Sequence, residues 1–294
     1  MRLVTYLGEG GERPGVVDAG SGTVRPVTAA VDGGAVDVLG IVERWDDVGA
    51  RLTLGDAVPL GEVTLLAPFR PPRDVMCVGK NYRDHSGEFA RSGFDATGKG
   101  PADEIPEHPI VFTKSAGSVV GTGTAIEPHP GLTTALDYEI ELAVIIGRGG
   151  RGITAERVGE HVWGYTIVND VTARDLQRAH RQWFIGKSLD TFCPMGPWAV
   201  SADEVDVMDL TVTCRVNGEV RQQGNTRDLI FDVPTLVSTI SAGITLRPGD
   251  VIATGTPAGV GIGFDPPRFL SPGDVVEAEI TGLGTLTNRV ADVS

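Results

Sequence analysis

The sequence predicts a mainly β, α+β fold: many short strands, few helices, a small β-rich N-terminal domain over residues 1–70 and a larger body over 71–294. Three observations carry this reading. The 40 glycines and 19 prolines are spread along the chain rather than gathered in one tract, which spells turns between short strands. Asn217-Gly218, the preferred two-residue hairpin turn, stands between the alternating run 210–216 and the return 219–223. Residues 137–147, DYEIELAVIIG, become β-branched and apolar in their second half and close on a glycine, as a strand does.

In chain order, residues 3–7 and 16–17 read as strands and 36–45 as a short helix, and the N-terminal unit leaves through Ala67-Pro68. The body opens on a buried strand at 74–79 that runs into Lys80-Asn81-Tyr82. His85 and Glu88 follow, three apart, so on one helical turn they share a face. A carboxylate beside an imidazole orients it; the same spacing also occurs on solvated helices. Residues 89–109 have little periodicity and many breakers, and with His85 and Glu88 they read as a lid over about 84–109. Residues 110–114 form a strand ending on Lys114, either a strand-end cation or a substrate contact. Gly121-Thr122-Gly123-Thr124 is followed by no strand-to-helix phosphate cradle, so a nucleotide site is not expected there.

On one strand over 137–147, Asp137, Glu139 and Glu141 fall on one face, about 7 Å between alternate residues. Such a row must be solvated, share protons, or be neutralised by a cation. Residues 163–168 form a second strand that exits at Asn169-Asp170, where another carboxylate can approach the row. Two or three carboxylates converging on one point favour a hard cation: Mg²⁺, Mn²⁺ or Ca²⁺. Thr154 is a plausible N-cap for a helix after it, and a helix over 171–183 projects Arg174 and Gln177 from one side. Lys187, among Trp183, Phe184 and Phe192, is partly desolvated and needs anions nearby. Asp232 and Pro234 start an apolar helix over 233–240. A buried strand ends at Thr256-Pro257, and 274–280 and 285–290 close the sheets.

Composition narrows the partners. A formal charge of -14 excludes a nucleic-acid backbone as a natural partner. Three unpatterned cysteines (Cys77, Cys193, Cys214) suit neither a disulfide framework nor a zinc site and fit a reducing cytoplasm. No signal-like segment opens the chain and no 18-residue apolar run crosses a membrane. Only four of the 25 basic residues are lysines (Lys80, Lys99, Lys114, Lys187), so each is a scarce choice.

DYEIELAVIIG, then GYTIVNDVTARDLQ, GKSLDTFCPMGPW and ATGTPAGVG, in that order over residues 70–290, resemble the fumarylacetoacetate hydrolase superfamily, metal-dependent enzymes that cleave or rearrange 2-oxo acids. The resemblance implies a rolled, mixed β-sheet body, a homodimer, and one divalent cation, Mg²⁺ or Mn²⁺ with Ca²⁺ possible, on Glu139, Glu141 and Asp170, with Asp137 behind them. It implies that His85, oriented by Glu88, activates water, and that Lys187 stabilises an enolate. Arg174, Gln177 and Thr256 become substrate contacts, although Arg174 suits a metal-site carboxylate equally well and Thr256 a backbone carbonyl. The expected reaction is C–C hydrolysis of an acylpyruvate. Oxaloacetate decarboxylation or tautomerisation, and isomerisation or decarboxylation of aromatic meta-cleavage intermediates, use the same residues. Dehydration of a 2-oxo-3-deoxy sugar acid leans less on His85, and a non-catalytic, cation-stabilised module would need neither His85 nor Lys187.

Overall fold

The strand Ile140–Ile146 is buried along its whole length, and the architecture follows from that. Its even residues (Ile140, Leu142, Val144, Ile146) pack with Val212, Cys214, Val216, Val276, Ala278 and Ile280 in the larger core. Its odd residues Ala143 and Ile145 enter a second core with Val75, Cys77, Trp163 and Val168. A strand covered on both faces needs a continuous apolar run, which 140–146 supplies except at Glu141. Each of its large side chains, removed from water, contributes roughly 1.5–3 kcal/mol.

The computed structural model describes residues 1–29, 36–94 and 105–293. One mixed sheet runs, in spatial order, through Thr53–Leu54, Thr23–Ala29, Gly11–Asp18, Arg2–Gly8, Cys193–Ser201, Val162–Asn169, Ile140–Ile146, Val251–Ala253, Val75–Gly79 and Ile110–Lys114. The pairing of Val251–Ala253 with Val75–Gly79 is parallel, and the pairs on either side of it are antiparallel. A four-stranded antiparallel sheet, ordered Glu219–Asn225, Thr211–Val216, Val275–Ile280, Gly284–Arg289, closes the other side of the larger core. The strands outnumber the helices, as the sequence predicts. The N-terminal strands continue the main sheet, because Arg2 and Leu3 pair with Val200 and Ala199.

Several expected elements stand as read. Asn217 and Gly218 both take positive φ (53° and 79°) in the hairpin turn, and the Asp232 side chain caps the helix Val233–Ser241 through the Thr235 N–H. His85 and Glu88 lie on the helix Arg83–Arg91. That helix takes up the start of the 84–109 stretch, and residues 95–104 of the expected lid lie outside the described residues.

Three elements differ. The single strand expected over 137–147 is two, Leu136–Asp137 and Ile140–Ile146, because the Glu139 N–H bonds the Asn169 side chain (3.1 Å) instead of continuing the ladder. The helix expected from 171 starts at Arg174, since Thr172–Ala173 pairs with Leu136–Asp137 and the Thr172 hydroxyl donates to the Asp170 carbonyl (2.9 Å). It stops at His180, and Lys187 ends a separate short helix, Phe184–Lys187. After Thr154 the chain forms a 3₁₀ segment, Ala155–Glu160, without a side-chain cap.

Candidate metal centre

Glu139, Glu141 and Asp170 are all buried, and each offers a carboxylate oxygen within 4.8 Å of the others. The fold brings them together by register. Ile140 pairs with Asn169 across two antiparallel strands, which sets the residues flanking that pair, Glu139, Glu141 and Asp170, at one end of the ladder. The Asp170 N–H donates to the Glu139 carbonyl (2.8 Å) and pins the two chains at the point where both leave the sheet.

Cations balance two of the three acids. Lys187 Nζ donates to Glu139 Oε2 (2.9 Å) and Asp170 Oδ2 (2.7 Å), and Lys114 Nζ to Asp170 Oδ1 (2.6 Å). Arg174 Nη2 lies 2.6 Å from Glu139 Oε1, at ion-pair distance but not aligned as a hydrogen bond. Burial alone would raise the Glu139 carboxyl, but Arg174 and Lys187 outweigh it and hold the group below the usual carboxylate range. Glu141 is held instead by a neutral donor, the Gly255 N–H at 2.7 Å. Burial, then Asp170 and Glu139 beside it, push its carboxyl well above that range. The donor set is therefore all hard oxygen, buried, convergent and short of positive charge at Glu141, which fits a divalent cation such as Mg²⁺ or Mn²⁺.

Asp137 leaves the row. Its carboxylate accepts the Gly261 (2.6 Å) and Ile262 (3.2 Å) N–H groups and Arg174 Nε (2.8 Å), so it reaches the cluster only through the guanidinium. Arg174 is 1 % exposed and also donates from Nη1 to Gln177 Oε1 (3.1 Å). Of the two roles open to it in the sequence, the geometry has it gripping site carboxylates.

Above the cluster is a small cavity of about 20 Å³ bounded by His85, Glu139, Arg174, Gln177 and Lys187, with Phe89, Phe112 and Trp183 as its aromatic wall. Lys187 Nζ sits 5.1 Å from the Phe112 ring centre, and Trp183 packs edge-on against Phe112 and Phe89. That wall keeps the charges poorly solvated, which strengthens each of them toward a reacting group. His85 is buried, with Nδ1 3.2 Å from Glu88 Oε2, and Glu88 in turn accepts the Gly259 N–H (3.0 Å). A larger cleft, about 870 Å³, lies on the other side of the same helix and is lined by Glu88 but not by Glu139, Glu141 or Asp170.

Eight of the nine candidate residues thus converge. Thr256 stands apart: its hydroxyl donates to the Ile140 carbonyl (2.9 Å) and accepts from Gln222 Nε2 (2.7 Å), so in this arrangement it has no proton to offer a substrate carboxylate. Sequence reasoning passed over Gln222 and Asn169 and left Lys114 undecided. Lys114 is fully buried, and its ammonium also bonds the Val171 carbonyl (2.9 Å) and the Lys187 carbonyl. The scarcity of lysine in the chain was the available signal.

Comparison with known proteins places the chain among relatives. The family description Fumarylacetoacetate (FAA) hydrolase C-terminal matches residues 74–291. The chain is 52% identical over 233 residues to oxaloacetate tautomerase YisK of Bacillus subtilis, covering 79% of this chain and 74% of that one. Among solved structures, a fumarylacetoacetate hydrolase from Exiguobacterium antarcticum superimposes with a TM-score of 0.85 at 45% identity over 100% of both chains. A 5-carboxymethyl-2-hydroxymuconate delta-isomerase from Mycobacterium smegmatis does so with 0.77 at 35% identity over 99% of both. No helix among the described residues is long and apolar enough to cross a membrane.

Proposed function

The chain belongs to the fumarylacetoacetate hydrolase family, and from that premise we propose that it is a divalent-metal-dependent enzyme that interconverts the enol and keto forms of oxaloacetate. The observation that carries the reading is the buried Glu139–Glu141–Asp170 cluster with Lys187 on its rim, in a chain 52% identical to an oxaloacetate tautomerase. A delta-isomerase, like a tautomerase, moves a proton and leaves carbon–carbon bonds intact, and likeness to one of each favours tautomerisation over the acylpyruvate hydrolysis expected from the motifs.

In this reading Glu139, Glu141 and Asp170 hold the cation, which when bound supplies Lewis-acid polarisation of a 2-oxo group. Tautomerisation breaks the C3–H bond and forms an O–H bond at C2, or the reverse, so the protein must stabilise an enolate and carry one proton. Lys187 faces the enolate oxygen, where burial makes its ammonium count for more than in water. His85 carries the proton. Glu88 on Nδ1 selects the Nδ1–H tautomer and leaves Nε2 as the basic atom. Arg174 and Gln177 fix the Glu139 side of the cavity, and the aromatic wall keeps bulk water from the enolate. The homodimer and the cytoplasmic setting expected from the sequence belong to the same proposal, and sedimentation checks the first.

A second reading, hydrolysis, rests on the likeness to the Exiguobacterium antarcticum hydrolase. One experiment separates them: the purified, Mg²⁺-loaded protein is given enol-oxaloacetate and, separately, an acylpyruvate, and products are identified. Faster loss of the enol absorbance without CO₂ or pyruvate supports the tautomerase. Pyruvate plus a carboxylic acid from the acylpyruvate alone supports the hydrolase, and no change in either sinks both.

A further inference from the structure

The turn Gly261–Gly263 begins on the last glycine of the ATGTPAGVG motif and has no part in the chemistry above, yet both halves of the site hang from it. The Gly261 and Ile262 N–H groups hold Asp137, the anchor of Arg174, and Gly259 N–H, just before it, lies 3.0 and 3.3 Å from the two oxygens of Glu88. The glycines differ in what they require. Gly259 has φ +101°, and a Cβ there would lie 1.9 Å from the Arg221 carbonyl oxygen, so its backbone demands glycine. Gly263 has no left-handed φ to excuse it. The three heavy atoms nearest a Cβ there all belong to the Glu88 side chain, Oε1 at 1.7 Å, Cδ at 2.1 Å and Cγ at 2.6 Å.

We propose that Gly263 is a positioning residue: the space where its side chain would stand is the seat of the Glu88 carboxylate, and this turn, rather than the Arg83–Arg91 helix alone, aims the His85 ring. The inference rests on the reading of His85 as proton carrier only for its effect on rate, not for its effect on the ring. A methyl group at 263 forces the carboxylate off its seat. The displaced side chain has somewhere to go, because Glu88 already borders the 870 Å³ cleft, so the fold is kept while the bond to His85 Nδ1 is lost.

The test is Gly263→Ala, with Glu88→Ala, the double variant and His85→Ala beside it. Two quantities are read: the ¹⁵N shifts of the His85 ring in the metal-free protein, which report the Nδ1–H tautomer, and the rate of enol–keto exchange with Mg²⁺. Gly263→Ala is expected to shift the tautomer balance toward Nε2–H and to lower kcat about ten- to hundredfold, no more than the low end of what a positioned acid–base group contributes because the ring itself is kept, with KM and Tm held. The double variant is expected to be no slower than Glu88→Ala alone, since the two changes break one contact. An unaltered His85 ring in Gly263→Ala overturns the inference, as does a double variant slower than either single by the product of their effects. A shifted ring with no change of rate, in Gly263→Ala and His85→Ala alike, upholds the seat and removes the proton-carrier role instead.

Discussion

Lys114 Nζ stands 2.6 Å from Asp170 Oδ1, with both side chains fully buried, and so the third acid of the cluster is held from the side opposite Lys187. The pair is structural before it is chemical. Lys114→Met leaves a buried carboxylate oxygen and the Val171 and Lys187 carbonyls without their donor. The expected loss is about 3–5 kcal/mol, the cost of removing one partner from a buried ion pair. Urea unfolding of the metal-free protein measures it, and a loss below the error of the titration would mean that Asp170 finds other partners.

Glu141 and Glu139 titrate in opposite senses. The buried, repelled Glu141 keeps a proton in the folded, metal-free protein that the unfolded chain gives up near its ordinary value of 4.5. Above that pH the folded state binds more protons, so stability falls as pH rises, by at most about 1.4 kcal/mol per unit from this one group. Glu139, lowered because Arg174 and Lys187 outweigh burial, contributes stability that is present above 4.5 and lost as pH falls below it. Glu141→Gln should therefore flatten the decline above pH 4.5 in the presence of a chelator, whereas excess Mg²⁺ should reverse it in the native protein by taking the proton's place. Equal slopes for the native protein and Glu141→Gln would contradict the assignment.

On the proposed mechanism, Lys187 contributes to rate at the expense of metal affinity. Its ammonium bonds two of the three acids of the cluster, so it would repel a cation placed among them. Lys187→Met is expected to bind Mg²⁺ more tightly by calorimetry and to lose about 10²–10³ in kcat, the size of a lost oxyanion donor. A weaker Mg²⁺ affinity would show that Lys187 orders the acids more than it opposes the metal.

The convergence of Glu139, Glu141 and Asp170 was legible because it needs only local rules: alternate residues share a strand face, and Asp170 sits where the next strand ends. What was hidden depended on a distant partner. Asn169 turns its side chain to the Glu139 N–H, which breaks the strand and sends Asp137 to the 261–262 turn, and no periodicity announces that. Thr256 reads from sequence equally as a substrate donor or as a hydroxyl on a backbone carbonyl, and its bonds to the distant Ile140 and Gln222 favour the second. The strand Cys193–Ser201, which joins the N-terminal strands to the body, was masked by Pro194, Gly196 and Pro197, residues that ordinarily break a central strand.

Arg174 is the side chain whose replacement tells a structural grip from a substrate contact. Its fork spans three acceptors in different directions, Asp137 Oδ2 on Nε, Gln177 Oε1 on Nη1 and Glu139 Oε1 near Nη2. A lysine keeps the charge but offers one compact ammonium, which cannot reach Asp137 and Glu139 together. Asp137 still has the Gly261 and Ile262 N–H groups, so the fold should survive Arg174→Lys with a loss of about 1–3 kcal/mol, the usual size for a charged hydrogen bond removed. Glu139, half released, should then wander and weaken Mg²⁺ binding by calorimetry, with kcat falling and KM for oxaloacetate nearly constant once metal is saturating. The opposite pattern, an unchanged metal affinity with KM raised tenfold or more, would mean that the guanidinium swings from Glu139 to a substrate carboxylate in the working enzyme.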